Sequence, residues 1–240
     1  MGLGVPQLWW LQIIFGLVCG SFLNVVIHRL PRHESLCWPP SHCPNCSHGL
    51  SWLDLVPVLS YCWLRGRCRY CGVRIKVRYP LVELLTAGLT LLWGLRYPVD
   101  VGGIAILILL YTLVAIAFID LEQMIVPDGL TIPLLLLGLA VRFWQGQWFL
   151  GLSGILAGFG ILWLIRLIEP AGMGWGDIKM LAMIGAFCDW RSVIGVLFLG
   201  SFLGFAILLP FKLAQKIRPR QPVPFGPFLA GAAWVVFLVI

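Results

Sequence analysis

Residues 101–119 read VGGIAILILLYTLVAIAFI, a run without one charged side chain, and the next residue is Asp120. Such a run has no polar face to show to water. In hydrocarbon its peptide groups are satisfied within the segment only as a helix, and about 20 residues of helix match a core roughly 30 Å thick. Comparable runs lie on both sides. Leu8 to Ile27 is the first, and further spans are expected near 80–97, 102–119, 129–146, 148–166, 178–190, 192–211 and 223–240. No Lys or Arg precedes Leu8, so the first run lacks the basic start of a secretory signal peptide.

The composition agrees. Of 240 residues 60% are hydrophobic and 11% charged, and the mean hydropathy is +0.94. So few charges cannot coat a soluble globule, which excludes a soluble enzyme and a disordered chain. Unbroken apolar runs, in place of alternation, favour helices over a β-barrel. Twelve Trp and fourteen Phe suit a chain anchored at two lipid–water interfaces. The expected fold is an all-α polytopic membrane protein of about eight transmembrane helices with a small zinc-ribbon-like domain outside the bilayer. Its expected division is 1–28 as a first transmembrane helix, 29–79 as a Cys-rich domain and 80–240 as a core of about seven helices.

Charge location gives the sidedness. Seventeen Lys and Arg oppose ten Asp and Glu. With eight spans, the segments 29–79, 120–128, 166–179 and 212–221 share one side and hold 14 of the basic residues, while the other side holds Arg96, Arg142 and Arg191. The positive side is the cytoplasmic one. Residues 29–79 are therefore expected in the cytoplasm and both termini outside it. The net charge of +7 then reflects membrane orientation; no nucleic-acid partner is expected, and anionic membrane lipid is.

Two CxxC pairs, Cys43-Pro-Asn-Cys46 and Cys68-Arg-Tyr-Cys71, are separated by 21 residues. Each pair can place two thiolates on one metal, and two pairs complete a tetrahedral S4 zinc site. A reducing cytoplasm disfavours disulfides, and a segment of about fifty residues with few aliphatics needs a staple. The expected role of the zinc is structural. Cys19 and Cys188 read as packing in apolar spans, Cys37 and Cys62 as spare thiols, and His42 and His48 as neighbours of a set that four Cys already complete. Gly16/Gly20, Gly154/Gly158 and Gly200/Gly204 have the spacing for close helix packing. No internal repeat stands out.

Ionisable residues beside membrane spans are costly and point to function. Asp120 closes its apolar run, and Asp177 lies in Gly174-Trp175-Gly176-Asp177 just ahead of another. Both fall on the cytoplasmic side. Two carboxylates around one water hold a single proton between them, the arrangement of aspartic proteolysis. Gly174 and Gly176 would let a substrate backbone approach, with Asp128 and Lys179 as supporting residues of the substrate loop. The pair by itself equally suits a proton- or ion-coupled transporter, and Asp128 and Asp177 each also read as helix caps.

Further residues carry a family likeness. Gly20-Ser21-Phe22-Leu23-Asn24-Val25-Val26, with Arg29-Leu30-Pro31, precedes the paired CxxC motifs. Arg78-Tyr79-Pro80-Leu81-Val82-Glu83-Leu84-Leu85 follows them. Then come Ile119-Asp120, Pro127-Asp128, the GxGD motif at Gly174–Asp177, and Pro224-Phe225-Gly226-Pro227. In this order the chain resembles the bacterial type IV prepilin peptidases. The resemblance implies an inner-membrane aspartic protease with Asp120 and Asp177 catalytic. It would cut the short basic leader of prepilins or pseudopilins after glycine, at the cytoplasmic face. It further implies N-methylation of the new terminus with S-adenosylmethionine, an activity associated with the Cys-rich domain. The alternative within the family is a peptidase without that second activity. No glycine-rich pattern of a soluble methyltransferase is present, so no donor-binding residues are assigned.

Overall fold

A computed structural model of the chain describes residues 9–170, 173–213 and 223–240. The start of the first expected span, Gly172 and most of the basic segment 212–221 lie outside the described residues. The chain forms two compact units, Met1–Val99 and Asp100–Ile240. Among the described residues regular structure is helical, and the β pairing is confined to isolated bridges.

In the first unit α1 (Trp9–Arg29) runs into a 3-10 turn, Leu30–Arg32; a second 3-10 turn (Trp52–Leu55), α2 (Leu59–Trp63) and α3 (Arg78–Arg96) follow. Helices α1 and α3 pack antiparallel. Gly16 faces Ala87 and Thr90, Gly20 faces Glu83 and Thr86, and Asn24 Nδ2 donates to the Tyr79 carbonyl at 3.1 Å. A Cβ on Gly20 would stand 2.7 Å from the Glu83 Cα, so the spacing of small residues brings the two backbones together. Buried Glu83 accepts the Val58 N–H at 2.7 Å. That bond ties the start of α2 to α3 and holds Val58 at φ 59°, which a β-branched residue rarely adopts.

The second unit contains α4 (Val101–Gln123), α5 (Asp128–Trp144), α6 (Trp148–Ile168), α7 (Trp175–Gly185), α8 (Trp190–Leu213) and α9 (Gly226–Leu238). Its core gathers on α4 and α7, where Leu109, Leu113, Ile116, Ile119, Ile178, Leu181 and Ile184 are fully buried. Asp100 begins α4 by accepting the Gly103 N–H at 2.7 Å, and Asp189 begins α8 by accepting from Ser192. Gly154 and Gly158 of α6 press on the backbone of α7, and Gly200 and Gly204 of α8 lie against Phe228 and Leu229 of α9. All three glycine pairs meet a neighbouring helix.

A helix stands at each of the eight expected spans. Among the described residues four are long and apolar enough to cross a membrane: Trp9–Arg32, Val101–Gln123, Trp148–Ile168 and Trp190–Pro210. Helix α7 has 11 residues and stops at Gly185, earlier than the apolar run to 190 suggests. It ends where Gly185 meets Gly154 backbone to backbone, and a turn through Phe187 and Cys188 leads to α8.

Candidate active site and cysteine cluster

Asp120 lies in the last turn of α4, 5% exposed, and Asp177 in the first turn of α7. Both line one cleft of about 280 Å3, together with Met124, Ile125, Val126, Gly174, Trp175, Gly176 and Lys179. Two helices thus deliver to one space two carboxylates that lie 57 positions apart in the sequence. Gly174 is the N-cap of α7, and the Asp177 carboxylate accepts its N–H. Asp177 is therefore not the N-cap itself; it makes the reach-back half of a capping box. It precedes the apolar run, and there burial first, then the Asp120 charge, push its carboxyl up to about 6, outweighing the Gly174 hydrogen bond.

Asp128 does not cap α5 either. Pro127 is the N-cap, and Asp128 forms an ion pair with Lys179 across from α7. Lys179 lines the cleft; Asp128 reaches it through this pair, tying the first turns of α5 and α7 together. Gly176 packs on Val126, whose Cβ would lie 2.8 Å from any Cβ there, so the 124–127 turn and the GxGD turn fit only because position 176 is bare.

Two supports went unread in the sequence. The Gly226 N–H, at the start of α9, donates to Asp120 Oδ2 at 2.9 Å, and a Cβ on Gly226 would sit 2.8 Å from that same oxygen. Arg166, in the last turn of α6, donates to the Met173 carbonyl and lies 5.0 Å from the centroid of the Trp175 ring. The Pro224–Pro227 stretch had pointed to the first without naming a task for it. Nothing in the sequence pointed to the second.

In the first unit Cys43, Cys46, Cys68 and Cys71 converge, their sulfurs all within 4.8 Å of one another. The Cys43 and Cys71 sulfurs are 3.8 Å apart, close to the edge of a tetrahedron with arms of about 2.3 Å, the zinc–thiolate length. The donor set and its span fit zinc. The Val73 N–H chiefly, and then Asn45 Nδ2, bring the Cys71 thiol down to about 6, while Cys46 beside it, against the His48 backbone hydrogen bond, is raised to about 11 by burial and by the Cys43 and Cys71 thiols. Asp54, its side chain 3% exposed, pairs with Arg69 at 2.7 Å and accepts from Ser51, which fixes the second knuckle to the Trp52–Leu55 turn. His48 stacks on Tyr70 and His42 contacts the Pro40 carbonyl.

The two knuckles are copies. Cys43 N–H bonds the His48 carbonyl and Cys68 N–H the Val73 carbonyl; Ser47 and Gly72 both have positive φ; the bridges His42–Gly49 and Arg67–Arg74 match. Every pair is offset by 25 residues, and the offset extends back to Cys37-Trp38 and Cys62-Trp63. A tandem repeat, CWxxxxCxxC, therefore underlies the cluster. No disulfide is formed among the described residues.

Comparison with known proteins gives a consistent result. The profile of the bacterial peptidase A24 N-terminal domain matches residues 14–97, and that of the type IV leader peptidase family matches residues 107–209. The chain is 40% identical over 267 aligned positions to a protein of Aeromonas hydrophila named prepilin leader peptidase/N-methyltransferase, covering 98% of this chain and 92% of that one. Proteins of the same name from Burkholderia pseudomallei (strain 1026b) and Pseudomonas putida are 39% and 36% identical, covering 94% and 95% of this chain and 84% and 89% of theirs. No solved structure matches.

Proposed function

The chain belongs to the type IV leader peptidase family, and we propose that it removes the leader from prepilins or pseudopilins by an aspartic mechanism centred on Asp120 and Asp177. The observation that carries the reading is the single cleft lined by both carboxylates and by the bare backbone of Gly174 and Gly176. The pair holds one proton. The ionised carboxylate takes a proton from water as the water oxygen bonds to the scissile carbonyl carbon, and the protonated partner donates to the carbonyl oxygen. As the tetrahedral diol collapses, one of its hydroxyls returns a proton to the carboxylate that had donated, the C–N bond breaks, and the amine leaves with the proton the other carboxyl took from water. Gly226 fixes Asp120, while Gly174 and Arg166 fix the turn that carries Asp177.

The membrane reading assigns all eight apolar helices to the bacterial inner membrane, with residues 29–79 in the cytoplasm and both termini in the periplasm. It is supported by the 14-to-3 distribution of Lys and Arg. The cysteine cluster holds one structural zinc through Cys43, Cys46, Cys68 and Cys71 and staples the cytoplasmic segment. Methylation of the new N-terminus with S-adenosylmethionine is proposed from the relatives' name. When bound, that group supplies an activated methyl.

The test is cleavage of a prepilin by purified protein in detergent, comparing wild type with Asp120→Asn and Asp177→Asn and adding S-adenosylmethionine labelled in its methyl group. Loss of cleavage by roughly 10²–10⁴ in either folded variant is expected. Cleavage retained by a folded double variant refutes the dyad, and an unlabelled product refutes the second activity.

A further inference from the structure

Three exposed indoles project from the cysteine module. Trp38, Trp52 and Trp63 are 74%, 76% and 86% exposed, far beyond what a packed tryptophan shows. Trp38 and Trp63 occupy the same position in the two 25-residue copies. Both are held beside the ends of the long helices. The Arg29 guanidinium, at the end of α1, collects the Ser35 carbonyl at 2.9 Å and the Pro39 carbonyl at 2.7 Å, so the 35–39 turn that bears Trp38 folds back onto that helix end.

At the other copy, Glu83 fixes the Val58 N–H. Glu83 is five residues into α3, about 7.5 Å along its axis. Helix α2 therefore starts below the level at which α3 begins. Leu59 and Trp63 of α2, 65% and 86% exposed, are four positions apart and share one face. Arg65, Arg67, Arg74 and Lys76 are exposed on the chain that continues from it.

We propose that the Leu59/Trp63 face of α2, together with Trp38, seats the cysteine module in the interfacial layer of the membrane that α1 crosses, with anionic headgroups held by Arg65, Arg67 and Arg74. Indoles partition to the headgroup level, and basic residues beside them recognise anionic lipid. The partner is lipid because both tethers of the module are helices leaving the bilayer and the exposed apolar groups lie at their ends. The inference rests on α1 and α3 both spanning the membrane and not on the peptidase reading.

Full-length protein in nanodiscs tests it. Subtracting the emission of a Trp38→Phe/Trp63→Phe variant from wild type isolates the two indoles while keeping the apolar contact. With lipid brominated near the headgroup, that difference emission should lose more than half its intensity. The quenching should be stronger in phosphatidylcholine–phosphatidylglycerol discs than in phosphatidylcholine alone, and Arg65→Gln/Arg67→Gln/Arg74→Gln should remove the increment. Difference emission quenched by aqueous iodide and untouched by bromolipid overturns the proposal. Shielding from iodide that requires an added prepilin peptide overturns it as well, since the face then belongs to the substrate.

Discussion

Gly226 has no side chain, and that is what lets its amide reach the Asp120 carboxylate at 2.9 Å. Gly226→Ala would place a methyl 2.8 Å from Oδ2, so the carboxylate must rotate or α9 must retreat. A displacement of about 1 Å at a reacting group costs on the order of 10² in rate. The expected result is a kcat lower by that factor with KM little changed, read from initial rates of prepilin cleavage. The proton shared by the pair sets a second expectation. The Asp177 carboxyl, raised to about 6, keeps its proton below that pH and loses it above. Activity that needs the singly protonated pair therefore falls as pH rises through the upper pKa, giving kcat/KM an alkaline limb starting near 6. A profile flat across the neutral range would remove the shared proton from the scheme. Both aspartates were legible in the sequence because a carboxylate beside an apolar run is conspicuous. Gly226 was not, because its partner lies 106 positions away and a backbone donor leaves no mark on residue type. Asp128 opens α5, as a carboxylate after proline suggests, but its side chain pairs with Lys179 and does not cap the helix, because the packing of α5 on α7 brings that lysine to it.

Helix α7 is placed by glycine. Gly154 stands so close to the Gly185 and Cys188 carbonyls that a Cβ would lie 2.5 Å from the latter, and one on Gly158 would lie 2.7 Å from the Leu181 carbonyl. Neither neighbour can yield as a flexible side chain would. Gly154→Leu should push α6 off α7 and lower stability by about 1–3 kcal/mol, measured as a drop in the thermal midpoint in detergent, and cleavage should fall because α7 carries Asp177. Gly160→Ala, in the same helix with nothing within 4 Å of the added carbon, is the control and should match wild type or exceed it. The existence of the helices was readable from uncharged runs. The early end of α7 was not, since residues 186–188 are as apolar as those before them and hydropathy records no break in the backbone.

The two units answer to different forces. The second buries its aliphatic core between helices; the 30–77 segment of the first gathers around four converging sulfurs and is tied by the Asp54–Arg69 pair and by Arg29 and Glu83. Cys43→Ser/Cys46→Ser should abolish binding of one zinc per chain, measured by elemental analysis, and unfold this segment, measured by hydrogen exchange. Methyl transfer should decline more than cleavage; equal loss of both would make the module a shared scaffold. The paired CxxC spacing announced the cluster, but the 25-residue duplication was hidden because few positions outside CWxxxxCxxC are alike. The length of α5 has a consequence for the lipid. Its seventeen helical residues rise about 25 Å, short of the roughly 30 Å of hydrocarbon in an ordinary bilayer, and Ile132, Leu136 and Phe143 are exposed along it. Helices α6 and α8 have 21 and 24 residues, while the apolar side chains of α7 from Ile178 to Ile184 are buried among their neighbours. Beside α5 the acyl chains have too little apolar wall to wet, and the bilayer must pinch or the protein must tilt. Cleavage should accordingly quicken in vesicles of shorter-chain phospholipid, where mismatch is already relieved and a substrate helix stands proud of the hydrocarbon at the place where it is to be cut.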